Sequence, residues 1–393
     1  MIKCNKQIKD GGFTMKVVIA IDSLKGSLTS LQAGEAIKEG IKKVDKETEV
    51  VIKPLADGGE GTVDALVDGM GGNMEFVKVT GPAEKEVLAK YGIIKETSTA
   101  IMEMSQAAGI TQVTDKERNP LYTTTYGVGQ MIVDAIHKGC RRFIMGIGGS
   151  ATNDGGVGML QALGYDFLDK DGNQIKHGAI GLKDLVQIKD DKVIPELKDC
   201  EFHIACDVTN PLCGEEGCSA IFGPQKGATQ QMVKDMDQWL ADYAKIAKQS
   251  FTKADADKPG TGAAGGLGFA FLTFTNAILK SGVDLILNET KLEEEIKDAD
   301  IVITGEGCLD AQTAMGKAPI GVAKLAKKYG KLVLGFSGAV TKGATACNEA
   351  GIDAYFPIVR SAVSLEDAMK KKNAQENLTD TVEQVFRLIK VLA

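Results

Sequence analysis

Histidine is scarce, with three in 393 residues. His137, His177 and His203 lie in no triad or metal-ligand spacing, which sets imidazole chemistry aside. Aromatics make up only 5% of the chain, with one tryptophan, and there are nine prolines. No apolar run approaches the ~18 residues of a membrane span. The polar opening Met1–Thr14 carries Lys3, Lys6 and Lys9 and lacks the apolar core of a signal peptide. Basic residues are outnumbered: 46 Lys and Arg against 53 Asp and Glu leave a net charge of −7. Nucleic acid usually meets a basic face, so this balance argues against such a partner. Cys200, Cys206, Cys213 and Cys218 cluster, but without the short CxxC knuckles of structural zinc, and reduced thiols are expected. The expectation is a cytoplasmic protein with a small-molecule partner and neither membrane nor nucleic acid. Residues 1–14 are expected to be a disordered extension.

Glycine, by contrast, is abundant. The 46 present exceed the roughly 28 that average usage would supply. They follow no three-residue period, which excludes collagen. With 44% hydrophobic and 25% charged residues the chain has the composition of a folded protein.

Both ends of the chain alternate apolar strand and helix. Val17–Ile21, Val50–Leu55 and a segment near Phe76–Val79 read as strands, with a helical period over 30–44. Ile301–Thr304, Lys331–Ser337 and Tyr355–Val359 read as strands, with helices at 320–328 and 364–391. Such alternation implies βαβ units and a parallel sheet. The middle differs, with short strands and turns over 80–125 and a long amphipathic helix over 229–251. The expected architecture is α/β: a discontinuous doubly wound domain from 15–78 and 290–393, with a second α/β domain, 79–289, inserted into it.

Four glycine-rich stretches follow or open regular structure: Ala56–Thr62, Gly148–Gly156, Gly260–Gly268 and Gly305–Asp310. A glycine loop that opens a helix presents bare N–H groups to phosphate. Each stretch also carries a carboxylate or hydroxyl, and a carboxylate facing phosphate implies an intervening Mg²⁺. One such loop reads as a tight turn; four together read as phosphoryl-transfer equipment. Walker A is absent, since Gly316-Lys317-Ala318 lacks the following hydroxyl. Gly146-x-Gly148-x-x-Ala151 follows a strand and keeps open an alternative, an NAD(P)-dependent oxidoreductase of a small hydroxy acid. Against that, Asp154 would repel a pyrophosphate without a metal. Lys25, in Asp22-Ser-Leu-Lys-Gly-Ser27, stands at a strand's carboxyl end, where open α/β sheets bind ligands. Asp207 ends another strand, in Cys206-Asp-Val-Thr-Asn-Pro-Leu212.

These stretches, with Thr304-Gly-Glu-Gly307, Arg118-Asn-Pro-Leu121 and Gly316-Lys-Ala-Pro-Ile-Gly321, resemble the bacterial glycerate kinase family, type I, from Met15 to about residue 390. The resemblance implies ATP-dependent, Mg²⁺-requiring phosphorylation of D-glycerate. The product is usually 2-phospho-D-glycerate, and less often the 3-isomer. It also implies a Rossmann-like or flavodoxin-like parallel-sheet domain with an inserted α/β domain. On this basis Gly148, Gly149, Ser150, Thr152, Asn153, Gly305 and Glu306 are expected at the nucleotide, and Asp154 and Asp310 at the metal. Asp207 is expected to orient or deprotonate the glycerate hydroxyl, while Lys25 and Asp57 address glycerate or the transferring phosphoryl group. The chain departs from the family pattern at Gly81-Pro82-Ala83-Glu84, where Gly-Pro-Leu-Gly is common, and at Cys308, where arginine is common.

Overall fold

The computed structural model describes residues 15–59 and 61–392; the expected disordered extension lies outside them. Numbered along the chain, the strands are β1 (Lys16–Ile19), β2 (Glu49–Ile52), β3 (Asn73–Thr80), β4 (Glu86–Ile94), β5 (Thr99–Glu103), β6 (Arg142–Gly146), β7 (Asp166–Leu168), β8 (Gln187–Lys189), β9 (Glu201–Ala205), β10 (Ala277–Lys280), β11 (Ile301–Leu309), β12 (Leu332–Val340) and β13 (Ala354–Pro357). The chain divides into two compact units. One runs through Asp57, takes in 68–70 and resumes at Val283; the other comprises 58–67 and 71–282.

In the first unit all strands are parallel, in the order β2-β1-β11-β12-β13. Counted within the unit this is 2-1-3-4-5, the flavodoxin-like doubly wound order. Val17–Ile21 are buried on both faces, which is why they read as an unbroken apolar run. The helix Ser30–Val44 starts at Thr29, whose side chain accepts from Gln32 N in a capping box, and ends with Lys42 and Lys43 in its last turn. Its buried face, Ala33, Ala36, Ile37 and Ile41, packs with the helix Lys371–Leu392 through Leu378, Val382 and Phe386. Thr379 Oγ1 ties the two by donating to Ala36 O at 3.0 Å. Ile37 is fully enclosed, so truncation to Ala would cost about 2–5 kcal/mol.

The second unit holds a six-stranded mixed sheet, β10-β9-β6-β5-β4-β3, and a small antiparallel pair, β7-β8. β5, β6, β9 and β10 run parallel, while β3 and β4 form an antiparallel hairpin. β3, which the boundary expected after residue 78 would cut, pairs along its whole length with β4 in the second unit. The helix Gln230–Ser250 buries Met236, Leu240 and Tyr243, the middle of the apolar stripe visible in the sequence. Tyr243 packs edge-on against Phe269 and Phe167. Among the described residues no helix is long and apolar enough to cross a membrane.

Candidate active site

In the first unit β1 and β11 are neighbours, yet the chain leaves them toward opposite edges: β1 leads to β2, and β11 to β12 and β13. Loops at the carboxyl ends of such a pair flank the crevice where open α/β sheets take ligands. Asp22 opens the loop after β1. Its N–H donates to Gly305 O at 2.9 Å, and its own Oδ1 accepts from Ser23 N at 2.6 Å. The side chain is buried. Desolvation and the neighbouring Asp57 carboxylate push it up to about 7; Glu306 adds to this, and the Ser23 N–H and Lys25 oppose it.

Lys25 Nζ reaches Asp57 Oδ2 at 3.4 Å. Partial burial works against the ammonium, but Asp57, Asp22 and Glu306 outweigh it and hold its pKa above the ordinary lysine value. Glu306 Oε1 accepts from Thr313 Oγ1 at 2.6 Å, and Oε2 lies 3.9 Å from Lys317 Nζ. Burial raises the Glu306 carboxyl, with Thr313 and Lys317 pulling the other way. A cavity of ≈390 Å³ opens beside these groups. Thus Lys25, Asp57 and Glu306, expected from the sequence, gather in one place. Asp22 and Lys317 join them, although neither was singled out: Asp22 begins the Lys25 motif, and Lys317 lies in Gly316–Gly321.

Asp310 lines the same cavity but acts as a helix cap. Its Oδ1 accepts from Thr313 N at 2.9 Å, and Thr313 Oγ1 receives the Asp310 N–H at 3.1 Å. The backbone hydrogen bond holds its carboxyl below the usual range. Asp310 thus caps the helix that follows β11 through Oδ1. The stretch expected as a loop after Thr304 continues β11 to Leu309, paired with β12. Gly305 has φ +155°, and a Cβ there would fall 1.8 Å from Phe336 O. Glycine here permits the close packing of the two strands.

In the second unit the loop after β6 splits into two halves. Gly148 and Gly149 are exposed, while Ser150 is nearly buried and pairs with Gly109. Thr152, Asn153 and Asp154 are fully enclosed. Thr152 O accepts from the buried Lys226 Nζ at 2.6 Å, and Asn153 Nδ2 donates to Ser219 Oγ at 2.9 Å. Burial lowers Lys226 to about 8. The Asp154 carboxylate accepts from Thr125 N and Oγ1, each at 2.8 Å, from Gly156 N at 3.1 Å and from Gly158 N at 3.4 Å. These four donors make Asp154 an organiser of the loop. Thr152 and Asn153 are enclosed beside it. The third glycine stretch explains the enclosure: Gly265, at φ +68°, lies so close to this loop that a Cβ would meet Thr152 O at 2.1 Å. Asp207, by contrast, is exposed after β9, with Oδ1 accepting from Gly282 N at 2.8 Å. Lys226 carried no spacing signal in the sequence.

Comparison with known proteins agrees with the motif resemblance. The profile described as the Glycerate kinase family matches residues 17–390. The glycerate kinase of Haemophilus influenzae is 46% identical over 375 residues, covering 95% of this chain and 99% of its own. The glycerate 2-kinase of Escherichia coli K12 is 45% identical over 356 residues, 91% of this chain and 93% of its own. A crystal structure from Salmonella typhimurium LT2, provisionally assigned as glycerate kinase 2, superposes with a TM-score of 0.89 at 44% identity, covering 96% of this chain and 99% of its own. The oxidoreductase alternative is set aside. Its glycine fingerprint opens no helix, since the next helix begins at Val157, and no relative described supports it. This chain belongs to the glycerate kinase family and is an enzyme of that family.

Proposed function

We propose that the protein transfers the γ-phosphoryl group of ATP to the 2-hydroxyl of D-glycerate, giving 2-phospho-D-glycerate and ADP. The observation that carries this is the grouping of Lys25, Asp57, Asp22 and Glu306 at the reversal of a parallel sheet. In the transfer the glycerate oxygen bonds to phosphorus, the bond from phosphorus to the β,γ-bridging oxygen breaks, and the hydroxyl proton leaves to a carboxylate. We assign that proton to Asp207, an exposed acid whose Oδ1 accepts from Gly282 N. Lys25 holds negative charge on the phosphoryl group or the glycerate carboxylate.

Among the described residues no group of three or more His, Cys, Asp or Glu is arranged to cage a metal. Mg²⁺ does not need one, because one or two carboxylates plus nucleotide phosphates commonly suffice. The donor set fits such an ion: the Asp22 and Asp57 carboxylates face each other, and a cation would offset their repulsion. Asp22 and Asp57 are the carboxylates that would hold Mg²⁺, which when bound would neutralise phosphate charge. The exposed Gly148 and Gly149 keep open backbone for an anion.

The test is ADP formation from D-glycerate and ATP with and without Mg²⁺, followed by phosphorus NMR of the product. No ADP above a control lacking glycerate refutes the kinase reading, and a 3-phosphate resonance refutes the stated regiochemistry.

A further inference from the structure

The ≈390 Å³ cavity is far larger than a three-carbon acid requires, and its lining is of two kinds. Ser23, Lys25, Glu306, Asp310 and Lys317 are polar. Leu24, Ile358, Val359, Leu365 and Met369 are apolar. Leu24 and Ile358 are buried, while Leu365 is 75% and Val359 38% exposed. Leu365 sits on the short helix Leu365–Met369, started by Ser364, whose Oγ accepts from Asp367 N. The lining of this cavity therefore includes an apolar side chain held in solvent as well as two lysines.

Glycerate offers nothing for such a wall, since every one of its carbons carries oxygen. A nucleotide has the matching two-part character, a flat apolar base at one end and polyanionic charge at the other. We propose that this cavity is the nucleotide subsite, with the adenine ring on the wall made by Leu24, Ile358, Val359, Leu365 and Met369 and the phosphates toward Lys25 and Lys317. The assignment rests on the kinase reading above and adds where the base lies. Asn377 also lines the cavity. Its Oδ1 is occupied by Arg360 Nε at 3.1 Å, which leaves its amide NH₂ to donate to a ring nitrogen. Glycerate then occupies ground outside the apolar wall.

Leu365→Glu is the direct test, because an exposed position tolerates the change without loss of fold. Val186→Glu, at an exposed apolar position in the other unit, is the control for added charge. ADP affinity by calorimetry and KM for ATP should each weaken by about tenfold or more in Leu365→Glu, the scale of one buried leucine contact. KM for D-glycerate should stay within about twofold, and Val186→Glu should change neither. Unchanged ADP affinity in Leu365→Glu overturns the assignment. So does a rise in the glycerate KM with the ATP KM intact, since the cavity would then hold the acid. The ADP titration is independent of turnover. If the wild-type protein phosphorylates no glycerate yet Leu365→Glu loses ADP, the kinase reading falls and the nucleotide subsite stands.

Discussion

Lys25 and Asp57 lie 32 residues apart in the chain and meet at 3.4 Å between Nζ and Oδ2. One stands in the loop after β1, the other after β2, so the pair joins two carboxyl ends of the first sheet. Exposed ion pairs of this kind contribute only about 0–1 kcal/mol to stability, which makes its position a question of chemistry rather than folding. Lys25→Met should therefore lower kcat/KM by roughly 10²- to 10³-fold, the usual effect of losing one charge-stabilising donor. Its thermal midpoint should stay close to wild type. A variant that melts much lower with proportionate loss of activity would make Lys25 structural.

Asp22 should be visible in the pH dependence of stability. Its folded pKa of about 7 lies above the ordinary carboxylate value of 3.8, because it is desolvated and faces Asp57. A raised folded pKa means the native state binds the proton more tightly than the unfolded chain. Its contribution is complete below about pH 4 and is lost as pH rises through about 7, amounting to roughly 4 kcal/mol at most. Asp22→Asn keeps a neutral side chain at every pH, so its stability relative to wild type should climb between pH 4 and 8. Denaturant titrations of both proteins across that range check it. Parallel curves would show that Asp22 does not titrate there. Binding of Mg²⁺ and ATP at pH 7 should also release about half a proton from Asp22, measurable by calorimetry in buffers of different ionisation enthalpy.

Asp207 carries the base assignment. Removing a general base typically costs about 10²- to 10⁴-fold in kcat, so Asp207→Asn should fall in that range with the protein folded. A loss below about threefold removes it from proton transfer.

The parallel sheet of the first unit is readable because its strands are buried on both faces and appear as unbroken apolar runs such as Val17–Ile21. The hairpin β3-β4 is not, because pairing partners leave no periodic trace and its outer face keeps Phe76 and Leu88 in solvent. β11 looked like a loop beyond Thr304 because glycine and glutamate disfavour strands; eight partner residues on β12 override that preference. The same blindness affects the acids. Asp154 and Asp310 sit in glycine-rich stretches, and Asp22 opens the motif that carries Lys25. What separates them is where each carboxyl turns, and that is decided by groups such as Thr125, 29 residues before Asp154. Motif spacing locates functional loops; tertiary hydrogen bonds assign their members.

Asp154→Asn distinguishes a loop organiser from a metal ligand. The carboxylate accepts from four donors: two on Thr125 and the N–H groups of Gly156 and Gly158. An amide keeps one acceptor oxygen and turns an NH₂ toward groups that also donate. At a fully buried site the cost is about 1–3 kcal/mol. That predicts a thermal midpoint lower by several degrees, since 1 kcal/mol is worth about 2–4 °C in a unit of this size. Activity at a temperature where the variant is folded should show an unchanged Mg²⁺ requirement. The contrasting variant is Asp57→Asn, which should raise the Mg²⁺ concentration needed for half-maximal rate while leaving the melting temperature nearly intact. If Asp154→Asn instead shifts the Mg²⁺ dependence at constant stability, the buried carboxylate must reach the metal, and its role as an organiser is wrong.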